Sequence, residues 1–279
     1  MNKFFLSSGL TLLCCVLTAQ VLPVQANSPI LMAQKGEIAR ADRLFEAGNQ
    51  LYREGTQDGN AIPFWQAIEL WTRAASIYES AGAVNEQAAT LLASGRAYTI
   101  LGDREKALAA FNRALPLSRE AGDRTAEAVT LNNIGLVYNS LGELESAIDY
   151  YSQSLPLSQE MGNQVAVATT LNNISDVYAA LGEEERTMEY LNQALPLNRE
   201  IGDRVSTART LGSMATISQT QGNFPDALSQ INDAIALIEA LGSDIAPGEL
   251  SSNHLATVQD YYQLQQTILA QSAQSEQAL

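Results

Sequence analysis

The spacing of glycine limits what this chain can fold into more than any other feature. Gly102, Gly142, Gly182 and Gly222 stand at every fortieth position, and Gly82, Gly122, Gly162, Gly202 and Gly242 recur at the same interval, half a period out of step. Apolar positions return in the same register: Leu91, Leu131, Leu171 and Leu211; Tyr98, Tyr138 and Tyr178; Leu115, Leu155, Leu195 and Ile235. A fixed period of this length marks stacked supersecondary units, each too small to bury its own apolar face.

Each unit reads as two helices. Leu131, Ile134, Gly135, Tyr138 and Leu141 fall on one helical stripe, and Ala147, Ile148, Tyr151, Ser154 and Leu155 on the next. Both stripes have the spacing of an amphipathic helix packed on one side. The periodic glycines stand just past each helix, where a left-handed residue caps the last carbonyls. Asp103, Asp123, Glu143, Asn163, Glu183 and Asp203 follow them directly. Such side chains accept from free amides and complement the helix dipole. No alternating β-branched run bounded by hairpin turns competes. The fold class is all-α.

The motif Leu131-x-x-Ile134-Gly135-x-x-Tyr138, then Ala147-x-x-x-Tyr151-x-x-Ser154, resembles the tetratricopeptide repeat. The run Thr130-Leu131-Asn132-Asn133-Ile134-Gly135 is similar to 40-residue-period arrays associated with cyanobacterial caspase-like peptidase domains, and to kinesin light chain repeats. The resemblance implies a right-handed superhelical solenoid of antiparallel helix pairs. About five repeats are expected, near 37–82, 83–122, 123–162, 163–202 and 203–242, within an array spanning 37–247. A capping helix over 248–271 and a loose tail over 272–279 follow. The first repeat is displaced: Leu51 to Ala67 is 16 positions where Tyr138 to Ala147 is 9, so seven extra residues fall between Glu54 and Pro63. Ser175 and Thr187 depart from the small-residue rule in the fourth repeat. Pro116, Pro156 and Pro196 sit inside second helices, where each removes a backbone bond, so a kink or break is expected there.

Residues 1–26 read as a secretory signal: Lys3, an apolar run from Phe4 to Leu22, and a small-residue exit at Ala26. Ala33 offers a second exit of the same kind, and an uncleaved anchor is the other reading of the run. Residues 27–36 are expected to be a short linker. Cys14 and Cys15 both lie in the leader, so the mature chain carries no thiol. Without Lys3 it has 15 basic against 31 acidic residues, or −16. That charge repels nucleic acid, whose binding rests on Lys and Arg.

Catalysis needs converging acids, bases or nucleophiles, and none is apparent. His254 is the single histidine, so metal binding by His or Cys lacks its ligands and no cofactor is implied. Carboxylates such as Glu143, Glu145, Glu183, Glu184 and Glu185 cluster at helix starts, as capping explains. The resemblance instead directs attention to the concave groove, lined by the first helix of each repeat. It implies partner-binding roles for Asn132, Asn133 and Asn139 in the third repeat and for Asn172, Asn173 and Asp176 in the fourth. Arg96 and Arg209 join them from the second and fifth. One amide both donates to and accepts from a peptide backbone. The alternative is that the asparagines bridge adjacent repeats and touch no ligand, and that the arginines pair with local acids. The expected function is an exported scaffold that binds a protein or peptide. A regulatory subunit of a separately encoded enzyme, or a structural part of an envelope assembly, is the other expectation.

Overall fold

The computed structural model describes residues 29–243 and 252–277, and all of their regular structure is helical. The expected signal sequence lies outside the described residues. Eleven helices follow in order: α1 (Pro29–Asp58), α2 (Ala61–Ala81), α3 (Val84–Ile100), α4 (Arg104–Ala121), α5 (Arg124–Leu141), α6 (Leu144–Glu160), α7 (Gln164–Ala180), α8 (Glu184–Glu200), α9 (Arg204–Thr220), α10 (Phe224–Ser243) and α11 (Ser252–Gln277). They pack as consecutive pairs, α1 with α2 through α9 with α10, and each pair leans on the next. The result is an all-α solenoid.

The boundaries follow the caps. At the end of α5, Gly142 has φ 78°; its N–H donates to Asn139, and that of Glu143 donates to Tyr138. This left-handed turn recurs at every described periodic glycine from Gly82 to Gly222. Asp103, Asp123, Asn163 and Asp203 then accept from amides in the first turn of the next helix.

The core runs continuously from unit to unit. Ala107 and Phe111 of α4 pack with Ile134 and Val137 of α5, while Ala147 and Tyr151 of α6 pack with Ile174 and Val177 of α7. Within a unit, a large side chain from the second helix fills the space beside a small residue of the first. A Cβ on Gly48 would stand 2.5 Å from the Trp71 ring, and one on Gly135 2.6 Å from Tyr151. This explains Ser175: the facing position in its unit holds Leu191 instead of an aromatic, which leaves room for a hydroxymethyl group. Thr187 is buried and turns its hydroxyl back onto the Glu183 carbonyl at 3.0 Å.

Two boundaries differ from the sequence expectation. Helix α1 begins at Pro29, inside the expected linker, and continues to Asp58, so most of the seven-residue excess lengthens a helix. Asn60 accepts from the Ile62 amide and starts α2. Helix α11 runs to Gln277, through most of the expected tail.

Proline does not interrupt the second helices. Helices α4, α6 and α8 are unbroken across Pro116, Pro156 and Pro196. The prolines are exposed, and so are the residues four positions earlier, Asn112, Ser152 and Asn192. The carbonyl that each proline leaves unpaired therefore lies on the solvent face, where water satisfies it. Pro156→Ala is expected to raise stability by about 1–2 kcal/mol. The helix gains most of a ~3 kcal/mol propensity difference, offset by a freer unfolded chain. A thermal melt followed by circular dichroism checks the sign.

Candidate functional site

Helix contacts fix which face is inner. First helices of successive units touch, α3 with α5 and α5 with α7, and the same side carries α9 against α11. Second helices of successive units do not pack together in this way. The array therefore bends with its first helices inside. Arg96, Leu136, Asp176 and Thr216, each one period from the next, are all exposed along that face.

A cleft of ≈ 360 Å³ opens between α5 and α7. Arg96, Asn132, Asn133, Asn163, Thr169 and Thr170 line it, with Ser154 and Ser158 of α6. Three expected site residues thus meet in one place. The Arg96 guanidinium is 5.8 Å from the centre of the Tyr52 ring, a cation–π contact at the second unit's edge. Asn133 is half-buried and donates to the Val129 carbonyl one turn back, at 2.7 Å. Asn139 is half-buried farther along α5.

The other asparagines bridge repeats. Asn132 Oδ1 accepts from Thr170 Oγ1 at 3.2 Å and from Asn173 Nδ2 at 3.1 Å, tying α5 to α7. One unit on, Asn172 Oδ1 accepts from Thr210 Oγ1 at 3.1 Å, and Asn172 Nδ2 lies 3.5 Å from Asn198 Oδ1. Asn198 Nδ2 closes the ring on Thr210 Oγ1 at 3.1 Å. Asn172 is only 3% exposed and does not face the groove, which corrects its expected place among groove residues. Its amide sits where an unpaired polar group would be costly, and the ring satisfies it.

Arg209 also has a local partner. It pairs with Asp176 at 3.3 Å across α9 and α7, with both side chains about half exposed, at 50% and 45%. Burial pushes the Asp176 carboxyl upward and the arginine beside it pulls it back. An ion pair this exposed contributes about 0–1 kcal/mol. Ser158, Thr170, Asn198 and Thr210 went unnoticed in the sequence. Their signal was present: Thr90, Thr130, Thr170 and Thr210 share one register, and Asn198 stands one full period after Ser158.

The sequence model described as tetratricopeptide repeat matches residues 86–160, 126–200 and 166–240. Together these matches span 155 of 279 residues (86 through 240). The chain belongs to the tetratricopeptide repeat family. No curated protein matches it. Solved structures that share the fold include the apo form of RapI, at 17% identity over 85% of this chain and 98% of that one, TM-score 0.63. A kinesin light chain with nearly identical tetratricopeptide-like repeats from Podosopora anserina aligns at 15% identity over 71% and 95%, TM-score 0.56. A Rap protein complexed with Competence and Sporulation Factor aligns at 16% identity over 85% and 66%, TM-score 0.56. Among the described residues of this tetratricopeptide array, no helix is long and apolar enough to cross a membrane.

Proposed function

We propose that this tetratricopeptide array is a non-catalytic scaffold, exported by a leader that ends at Ala26, that holds an extended segment of a partner protein along its first-helix face. One observation carries the reading: the open cleft between α5 and α7, where Arg96, Asn132 and Asn133 converge with two threonines and a further asparagine. Its polar groups are mostly uncharged, suited to hydrogen-bonding a peptide without demanding one net charge. The strongly acidic mature chain disfavours acidic partners and nucleic acid. A structural neighbour complexed with a factor supports the use of this fold for holding a second molecule.

The test is a displayed library of extended peptides, selected on the full mature chain. Arg96→Ala with Asn133→Ala should lower capture about thirtyfold or more, the loss expected for a charged and a neutral hydrogen bond. The melting curve should move little, because Asn133 bonds only within its own helix and Arg96 gives up one exposed cation–π contact with Tyr52. Undiminished capture by the double variant, or binding that maps to second helices, would overturn the reading.

A further inference from the structure

The junction between repeats three and four lacks one member of a ring that its neighbour completes. At the fourth-to-fifth junction three side chains close a cycle: Thr210 Oγ1 to Asn172 Oδ1, Asn172 Nδ2 to Asn198 Oδ1, and Asn198 Nδ2 to Thr210 Oγ1. The equivalent positions one repeat earlier hold Thr170, Asn132 and Ser158. The threonine–asparagine bond is kept, 3.2 Å against 3.1 Å. The carboxamide of the third member is not, because serine is too short to supply it. Ser158 is fully buried at 0% exposure, and its Oγ has no hydrogen-bond partner in the protein. It lines the same cleft as Asn132 and Thr170.

We infer that this cleft is a subsite for the side-chain carboxamide of a glutamine or asparagine on the bound segment. The inference rests on the groove reading above and adds its specificity. An entering carboxamide takes the place that Asn198 fills one unit on. Its oxygen accepts from Asn132 Nδ2, and its N–H groups donate to Thr170 Oγ1 and to Ser158 Oγ. The neighbouring ring shows that these groups suit an amide. A carboxylate fits poorly. Thr170 has one hydroxyl hydrogen, already directed at Asn132 Oδ1 or the Ala166 carbonyl, so its oxygen requires a donor that a carboxylate lacks. Charge at the cleft is mixed, since residues 125–185 hold nine acidic residues and no Lys or Arg while Arg96 lines the cleft, so the hydroxyl geometry is what disfavours a carboxylate. An aliphatic side chain would leave Ser158 Oγ buried and unpaired.

The experiment titrates isotope-labelled full mature chain with pentapeptides, acetylated at one end and N-methylamidated at the other so that no terminal carboxamide is present. The central residue is Gln, Asn, Glu or Leu among alanines. Gln and Asn peptides should bind at least about tenfold more tightly than Glu or Leu peptides. They should also shift the side-chain amide signals of Asn132. Ser158→Asn supplies the carboxamide internally, so it should erase the preference and raise the melting temperature. Ser158→Ala keeps the cleft open and should weaken the preference, which preserves the test should the larger side chain fail to fold. Equal affinity for all four peptides, or a preference that survives Ser158→Asn, overturns the subsite and leaves the groove reading standing. A bound structure with only a water beside Ser158 does the same. No perturbation of any first helix by any peptide overturns both.

Discussion

Gly135→Ala is expected to destabilise the array by about 1–2 kcal/mol although it adds a single methyl group, because overpacking a filled core costs about 1–3 kcal/mol and sometimes more. The new Cβ would stand 2.6 Å from the Tyr151 ring, and Tyr151 is fully buried, with no open space to swing into. Alanine's better helix propensity returns only about 1 kcal/mol. The expected fall in melting temperature is about 2–8 °C for a chain of this size. Gly36→Ala is the matched control. Gly36 lies on α1 with nothing within 4 Å of its would-be Cβ, so the same substitution there should be neutral or mildly stabilising. The fourth repeat shows how to relieve the clash, pairing Ser175 with Leu191. Tyr151→Leu in the Gly135→Ala background should therefore recover at least half of the loss. Tyr151 gives up little polar bonding, since its hydroxyl is buried without a protein partner. Should Gly135→Ala cost the same whether or not Tyr151→Leu accompanies it, ring contact is not the cause.

The repeat was legible because its physics is local. A glycine at φ 78° after α5 and an Asx cap before α7 are decided by backbone sterics and neighbouring amides, which the sequence displays directly. The same locality misled the reading on one point, the break expected at the prolines. Propensity says that Pro116 should interrupt a helix, but whether it does depends on which face its freed carbonyl occupies, and that is a tertiary fact. In the first repeat, periodicity marks where the unit slips, not whether the extra residues stay helical. In α1 they do. The groove asparagines were harder still. Asn132 and Asn172 share one register and one motif, yet one lines a cleft and the other is sealed. The difference arises from a third residue on another helix, Ser158 in one unit and Asn198 in the next. No reading of the first helix alone contains it. Arg209 was similar, since its partner Asp176 stands on the first helix of the preceding repeat.

Asn198→Ala should cost about 1–3 kcal/mol, because it removes the acceptor of a buried amide and one of the partners of a buried hydroxyl, and an unsatisfied buried donor or acceptor costs about that much. Asn172 Nδ2 loses its acceptor, and Thr210 Oγ1 loses the donor that now approaches it at 3.1 Å. The loss should appear as a lower melting temperature, with second-helix caps and far-ultraviolet signal unchanged at low temperature. Asn198→Ser should cost less, since serine reproduces the arrangement that the protein already tolerates at Ser158, and the Thr210–Asn172 bond remains as the Thr170–Asn132 bond does. The two substitutions therefore separate packing from polar completion. If polar completion governs the junction, Asn198→Ser also opens a second cleft one unit along, and the glutamine peptide should then bind at two sites instead of one. If alanine and serine cost the same and no second site appears, the ring is only a by-product of close packing.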